Sequence, residues 1–220
     1  MNKTRSRVFV GVMLLSSALS AAPTEKVTFK TTDGVALNAL FSKPGAGKPT
    51  VIMHHGLGAW KEEWQPLIDF LVENGTGVFS YDARPAGTPW QKLVDDMGTA
   101  VRFVEGRGVD RKSVFLAGAS LGANVCLKYN ALTNTGRGLI LLSPGLNYQG
   151  LETLDAVKMI KIPILFVAHP ADRYAFHSVT KLAPQASHAT SITSQKPGHG
   201  VQMFDADLLN KIHLWMEKQK

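Results

Sequence analysis

The hydrophobic positions change period along the chain, and each change predicts a different element. Between Lys26 and Phe41 apolar and polar residues alternate, with Val27 and Phe29 before Asp33-Gly34 and Val35, Leu37, Ala39 and Phe41 after it. A two-residue period on both sides of an Asp-Gly turn is the pattern of an antiparallel hairpin. From Pro49 onward the apolar positions come as short, largely unbroken runs: Val51 to Met53, Val78 to Tyr81, Ser113 to Ala117, Leu139 to Leu142 and Ile164 to Val167. Such runs suit strands covered on both faces, as in a parallel sheet. Ser187 to Thr193 is a weaker candidate for a last strand, because Ile192 is its only large aliphatic residue.

Helical spacing separates these runs. Trp64, Leu67, Ile68 and Leu71 mark one helix, closed by Asn74-Gly75, and Leu93, Met97, Ala100, Val101 and Val104 mark a second that ends near Gly106. Leu121 to Leu132 forms a third, unusually apolar helix, and Leu208, Leu209, Ile212, Trp215 and Met216 give an amphipathic fourth. A hairpin followed by alternating strand and helix predicts an α/β fold, a mostly parallel sheet with helices on both faces. Ligands of such sheets sit beyond the carboxyl ends of the strands, so chemistry is expected there. No internal repeat, low-complexity tract or long linker interrupts the pattern, which favours a single domain.

Residues 1–20 stand outside it. Lys3, Arg5 and Arg7 precede an apolar run from Val8 to Leu15, and Ala18-Leu19-Ser20 then supplies small residues, the three-part pattern of a secretory signal. The apolar run is too short for a bilayer-spanning helix, which needs about 20 residues. Export and cleavage are therefore expected, with a periplasmic or secreted domain at residues 21–220. This changes the charge balance. The formal net charge is +7 from 24 Lys and Arg against 17 Asp and Glu, and the signal holds three of those cations and no carboxylate, so the remainder carries +4. That is ordinary for a soluble domain and points to neither nucleic acid nor a membrane surface. A hydrophobic content of 45% excludes wholesale disorder, and the lone Cys126 excludes a disulfide framework or a cysteine-based zinc site.

The third buried run ends in Gly118-Ala119-Ser120-Leu121-Gly122 and passes directly into the apolar helix. G-x-S-x-G between a strand and a helix is a nucleophile elbow, whose glycines permit a turn that lifts the serine above the sheet. A serine needs a base and a group that orients the base, in chain order acid then histidine. Asp172 follows the Ile164 run in Ala168-His169-Pro170-Ala171-Asp172, and His199 lies in Pro197-Gly198-His199-Gly200 before the last helix. In that arrangement neutral His199 accepts the Ser120 proton while Asp172 fixes its tautomer. The oxyanion donors are expected at the backbone N–H of Leu121, directly after the serine, and of Leu57 in His54-His55-Gly56-Leu57-Gly58. Of the rivals, His169 precedes Asp172 and would reverse the order, and His54 and His55 read as structural members of the oxyanion loop. Asp95, Asp96, Asp155, Asp205 and Asp207 read as caps or solvated helix faces, and Cys126 as a core residue. Trp60, Trp64, Met203 and Phe204 could line a pocket or belong to the core.

The series His55-Gly56-Leu57-Gly58, Gly118 to Gly122, Asp172 and His199 resembles the α/β-hydrolase superfamily, with the likeness running from Lys26 to Lys220. More narrowly, the compact chain and its Gly-His-Gly loop are similar to small bacterial serine hydrolases related to the dienelactone hydrolases. Those enzymes use a cysteine nucleophile where this chain has Ser120, so their substrate does not carry over. Asp82-Ala83-Arg84 resembles the superfamily's Asp-x-Arg loop, with Pro85 where glycine is common. The resemblance implies an α/β-hydrolase fold with no large cap domain, since Gly145 to Ile162 leaves room for at most one short covering helix, over Leu151 to Ile160. It implies hydrolysis of a small or exposed ester, most naturally by a carboxylesterase, without cofactor or metal. A small ester or acyl compound is the expected partner, with no nucleic acid and no stable membrane insertion. A thioesterase or amidase would use the same residues, and a non-catalytic binding protein of this fold is the rival from another class.

Overall fold

The computed structural model describes residues 22–219. The segment read as a secretory signal, 1–20, lies outside them. The Asp33-Gly34 turn joins β1 (Glu25–Lys30) and β2 (Ala36–Ser42) as an antiparallel pair, with Phe29 opposite Leu37. The apolar runs become β3 (Thr50–His54), β4 (Gly77–Tyr81), β5 (Val114–Ala119), β6 (Gly138–Leu142) and, after a two-stranded excursion, β9 (Ile164–Ala168). That excursion is β7 (Asn147–Tyr148) paired with β8 (Leu151–Glu152). The weakest candidate also forms a strand, β10 (Ala189–Thr193), an edge whose exposed polar residues pair only with β9. The order across the sheet is β1-β2-β4-β3-β5-β6-β9-β10, with antiparallel pairing at β1-β2 and β2-β4 and parallel pairing in the rest.

Successive residues of each buried strand point to opposite faces and feed two separate cores. Ile52, Phe79, Leu116, Leu139, Leu141 and Phe166 pack on one side with α2 (Trp90–Gly106), α3 (Leu121–Thr133), α4 (Leu154–Lys158) and α5 (Arg173–Leu182). Val51, Met53, Phe115, Ala117, Ile140 and Val167 pack on the other with α1 (Gln65–Glu73) and α6 (Ala206–Lys218). Covering both faces is what lets the central strands be apolar throughout.

Two elements went unread in the pattern. The buried face of α5 is Ala175, Ser178, Val179 and Leu182, too small and polar to register as an apolar stripe. The β7–β8 hairpin is two residues a side, below any periodicity, and turns on Gln149 and Gly150, both with positive φ. Asp96 corrects the expectation of a solvated helix face. It is 1% exposed on α2 and accepts two hydrogen bonds from Arg84, at 2.6 and 2.9 Å.

Candidate active site

Six parallel strands end on one rim, and the loops that leave them hold every residue singled out for chemistry. The tightest turn follows β5. Ser120 has φ +54° and ψ −122°, a sparsely populated conformation that costs an L-residue about 1–3 kcal/mol. What enforces it is close packing beneath: a Cβ on Gly118 would lie 2.2 Å from the Gly122 carbonyl oxygen, and one on Gly122 would lie 2.2 Å from the His54 carbonyl oxygen. The elbow helix is thus pressed against the end of β3, and only glycine fits at either contact. The Ser120 amide donates to Leu142 O (2.9 Å), fixing the elbow to β6.

His199 and Asp172 arrive from 27 residues apart. The His199 Nδ1–H donates to Asp172 Oδ2 at 2.7 Å. Because a carboxylate only accepts, this bond puts the proton on Nδ1 and leaves the Nε2 lone pair of the neutral ring for another partner. Asp172 is 14% exposed and sits at the amino end of α5, whereas His199 is 41% exposed. The loop of His199 is held by Gln202 Oε1, which accepts the His199 N–H (3.1 Å), and by Ser143 Oγ, which accepts the Gly200 N–H (2.9 Å). Ser120 and His199 line one cavity of about 230 Å³ together with Gly56 to Ala59 and Gly200 to Gln202. The expected competitor His169 stays within its own loop, where Nδ1 accepts the Ala171 N–H at 3.0 Å.

Leu57 and Leu121 flank the serine. Leu57 sits in a turn closed by the Ala59 N–H donating to Gly56 O (3.3 Å), with Gly58 at φ +72°. Leu121 is the first residue of α3, where a helix leaves its N–H groups without an intrahelical partner. The turn is fastened to the neighbouring loop through His55. Its Nε2 accepts the Ala83 N–H at 2.8 Å, so Nδ1 carries the proton and donates to Gly56 O at 2.7 Å. Burial holds the His55 pKa below the ordinary value and pushes that of fully buried His54 down to about 3. Both rings bond within the turn, His54 Nδ1 lying 2.9 Å from His55 O.

A family model described as serine aminopeptidase, S33, matches residues 45–199, well over half of the chain. The chain belongs to this family of α/β-hydrolases. Over 115 residues it is 36% identical to the uncharacterized protein YfhR of Salmonella typhimurium, a stretch covering 47% of this chain and 39% of that protein. It is 34% identical to the monoacylglycerol lipase abhd6-B of Xenopus laevis over 113 residues, 48% of this chain and 33% of the lipase. The chain therefore matches well under half the length of these curated relatives. Its fold is shared with an esterase of Pyrococcus furiosus, Pf2001, at a TM-score of 0.75 and 17% identity, covering 91% of this chain and 92% of that one. It is shared too with a dienelactone hydrolase of Anabaena variabilis, at 0.72 and 14%, covering 90% and 96%. Among the described residues no large cap interrupts the fold.

Beside the serine lies a second cavity of about 340 Å³, bounded by Gly56 to Trp60, by Asp82 to Thr88, and by Leu121 and Gln149. Trp60 is 61% exposed at its mouth, while Trp64, Met203 and Phe204 belong to the core beneath. The charged groups of the Asp-x-Arg loop are already engaged. Asp82 accepts from the Lys61 N–H and Nζ at 3.0 and 2.7 Å, and Arg84 is shared between Asp96 and Asp33. Cys126 is fully buried, and burial raises its thiol pKa well above the ordinary value, so it takes no part in chemistry at the rim. Among the described residues no group of three or more His, Cys, Asp or Glu converges to hold a metal ion, and no helix is long and apolar enough to cross a membrane.

The short covering helix expected within 151–160 is α4, yet the element that reaches the site is the hairpin before it. Asn124 of α3 ties that hairpin down at both ends, accepting the Gly145 N–H and donating to Leu151 O, each at 3.0 Å. Tyr174 of α5 holds it from the other side, its hydroxyl accepting the Asn147 N–H and donating to Asn147 O, each at 2.9 Å. Tyr148 is thereby placed edge-on to His199, with ring centroids 6.5 Å apart and planes at 90°. Nothing in the sequence marked Tyr148, Asn124 or Ser143, since their importance rests on contacts across the fold.

Proposed function

We propose that this chain is an exported serine hydrolase, a carboxylesterase that works through an acyl-enzyme on Ser120. The observation that carries the reading is the strained elbow serine sharing one cavity with a histidine whose far nitrogen is bonded to a carboxylate. In the first half-reaction Ser120 Oγ attacks the ester carbonyl carbon as His199 Nε2 takes its proton. The Asp172 carboxylate stabilises the imidazolium, and the Leu57 and Leu121 N–H groups donate to the negative oxygen of the tetrahedral intermediate. Collapse breaks the bond to the leaving oxygen, which departs as the alcohol with the proton from His199. Water, deprotonated by His199, then attacks the acyl carbon, and the second collapse returns the proton to Ser120.

Ester specificity draws support from the relative named monoacylglycerol lipase, and the small cavity beside Leu121, whose Asp82 and Arg84 are already paired, suits a short uncharged acyl group. The family's description as serine aminopeptidase supports an amide as the second reading. Labelling with a fluorophosphonate probe decides the first point: wild type is expected to form an adduct that Ser120→Ala abolishes, and no such adduct would favour a binding protein of this fold. A panel of p-nitrophenyl esters of increasing chain length, with an aminoacyl p-nitroanilide beside it, decides the second. The rate is expected to peak at short acyl chains; a maximum at long chains, or faster anilide cleavage, overturns the assignment. Export is supported by the three-part pattern of residues 1–20. Amino-terminal sequencing of the protein from an extracytoplasmic fraction should find the chain beginning after Ser20, and recovery of the intact chain in the cytoplasm counts against it.

A further inference from the structure

The single hydrogen bond to Asp172 fixes one atom of the His199 ring but not its plane, and with 41% of the side chain open to solvent the ring can pivot about that bond. A proton shuttle to Ser120 needs the plane as well, because the Nε2 lone pair lies within it. The structure supplies one aromatic neighbour placed to set it. Tyr148 meets His199 edge to face, also packs against Tyr174 at 5.4 Å, and donates from its hydroxyl to Ser143 O at 3.3 Å. Ser143 is fully buried, has φ +49°, and through Oγ accepts the N–H of Gly200, the residue after His199. Room for the tyrosine ring exists only because residue 145 lacks a side chain, since a Cβ there would lie 2.5 Å from a ring carbon of Tyr148.

We infer that Tyr148 is a positioning residue for His199: the β7–β8 hairpin, fastened to α3 and α5, holds its ring as a fixed wall that keeps the imidazole plane directed at Ser120. The inference rests on the triad reading above. The hairpin thus occupies the place of a mobile lid, and what it contributes is orientation. The ring, through its shape, sets the plane; the hydroxyl seats the ring on Ser143 O and lies within hydrogen-bonding reach of Ser120. The hydroxyl stays protonated across the working range, because burial first, and then the charge of Asp172, push its pKa up to about 12.

The test uses Tyr148→Ala, Tyr148→Phe and Gly145→Ala in the full chain, each checked for an unchanged circular dichroism spectrum. Tyr148→Ala is expected to slow fluorophosphonate labelling of Ser120, and kcat on a short p-nitrophenyl ester, by about tenfold or more, with KM within about twofold, the scale of losing one aromatic contact or more from the transition state. Tyr148→Phe keeps the ring and should stay within about threefold of wild type. Gly145→Ala leaves Tyr148 in the sequence but displaces its ring, so it should behave like Tyr148→Ala. Equal losses in the Phe and Ala variants, or wild-type labelling in both Ala variants, overturns the inference. Proton NMR of the His199 imidazole keeps this separate from the triad reading. If wild type forms no Ser120 adduct, the triad fails, while a His199 Nδ1–H resonance that exchanges no faster in Tyr148→Ala than in wild type sinks the wall on its own.

Discussion

Ser120 and its glycines show how much of the site is decided by single backbone positions. Gly122 and Gly56 make contrasting predictions, because the atoms facing them differ. A methyl on Gly122 meets the rigid His54 carbonyl at 2.2 Å, so Gly122→Ala must separate α3 from β3 and is expected to abolish both cooperative thermal unfolding and Ser120 labelling. A methyl on Gly56 meets Ser120 Cβ at 3.3 Å and nothing closer. Gly56→Ala should keep Tm within about 4 °C, a change of less than about 1 kcal/mol, while slowing Ser120 labelling severalfold. The two oxyanion-loop histidines set a pH dependence of stability. Both have folded pKa values below the unfolded value of about 6.5, so the unfolded chain binds their protons first. Their contribution is complete above about pH 6.5 and is lost as pH falls toward about 3, the value for His54. Urea unfolding between pH 7 and pH 4 should show stability falling on acidification, by up to about 1.4 kcal/mol per pH unit for each histidine. A flat profile would refute it.

At the level of elements, loops that would otherwise be mobile are fixed by their neighbours, which is how a site without a cap can be held rigid. The turn after β3 is fastened to the loop after β4 by His55 and by the Asp82 to Lys61 bonds, and that second loop is fastened to α2 and to the β1–β2 turn by Arg84. The Arg84 and Asp96 side chains are 10% and 2% exposed, so removing one partner leaves the other short of compensation in a poorly hydrated place. Asp96→Ala is expected to lower the unfolding free energy by about 3 kcal/mol, the lower end for a broken buried pair because Asp33 remains. Urea denaturation measures it, and a loss below about 1 kcal/mol would mean the pair is dispensable. Leu37 to Phe41 of the hairpin and the apolar runs from β3 to β9 were legible in advance, since burial on one face or two writes a period of two or an unbroken run. Helix α5 was not, because two of the four residues on its buried face, Ala175 and Ser178, are too small or polar to write an apolar stripe.

In the molecule as a whole, the parallel sheet collects Ser120, Asp172 and His199 from the ends of β5, β9 and β10, along with Leu57 from the end of β3. Reading along the chain was enough for the α/β architecture, and it picked out Ser120, Asp172 and His199 as candidates, because strand burial, tight turns and chain order each leave a local record in residue type. Which residues meet across the rim was left to the tertiary structure. The pairing of Arg84 with Asp96 joins residues 12 positions apart, and the seat of Tyr148 between Gly145, Tyr174 and His199 is assembled from three separate segments. Contacts of that kind follow from how the sheet twists and the helices pack, and a single sequence carries no periodicity that encodes them. So Ser120 could be found by reading along the chain, whereas the wall that faces His199 could be found only by folding it.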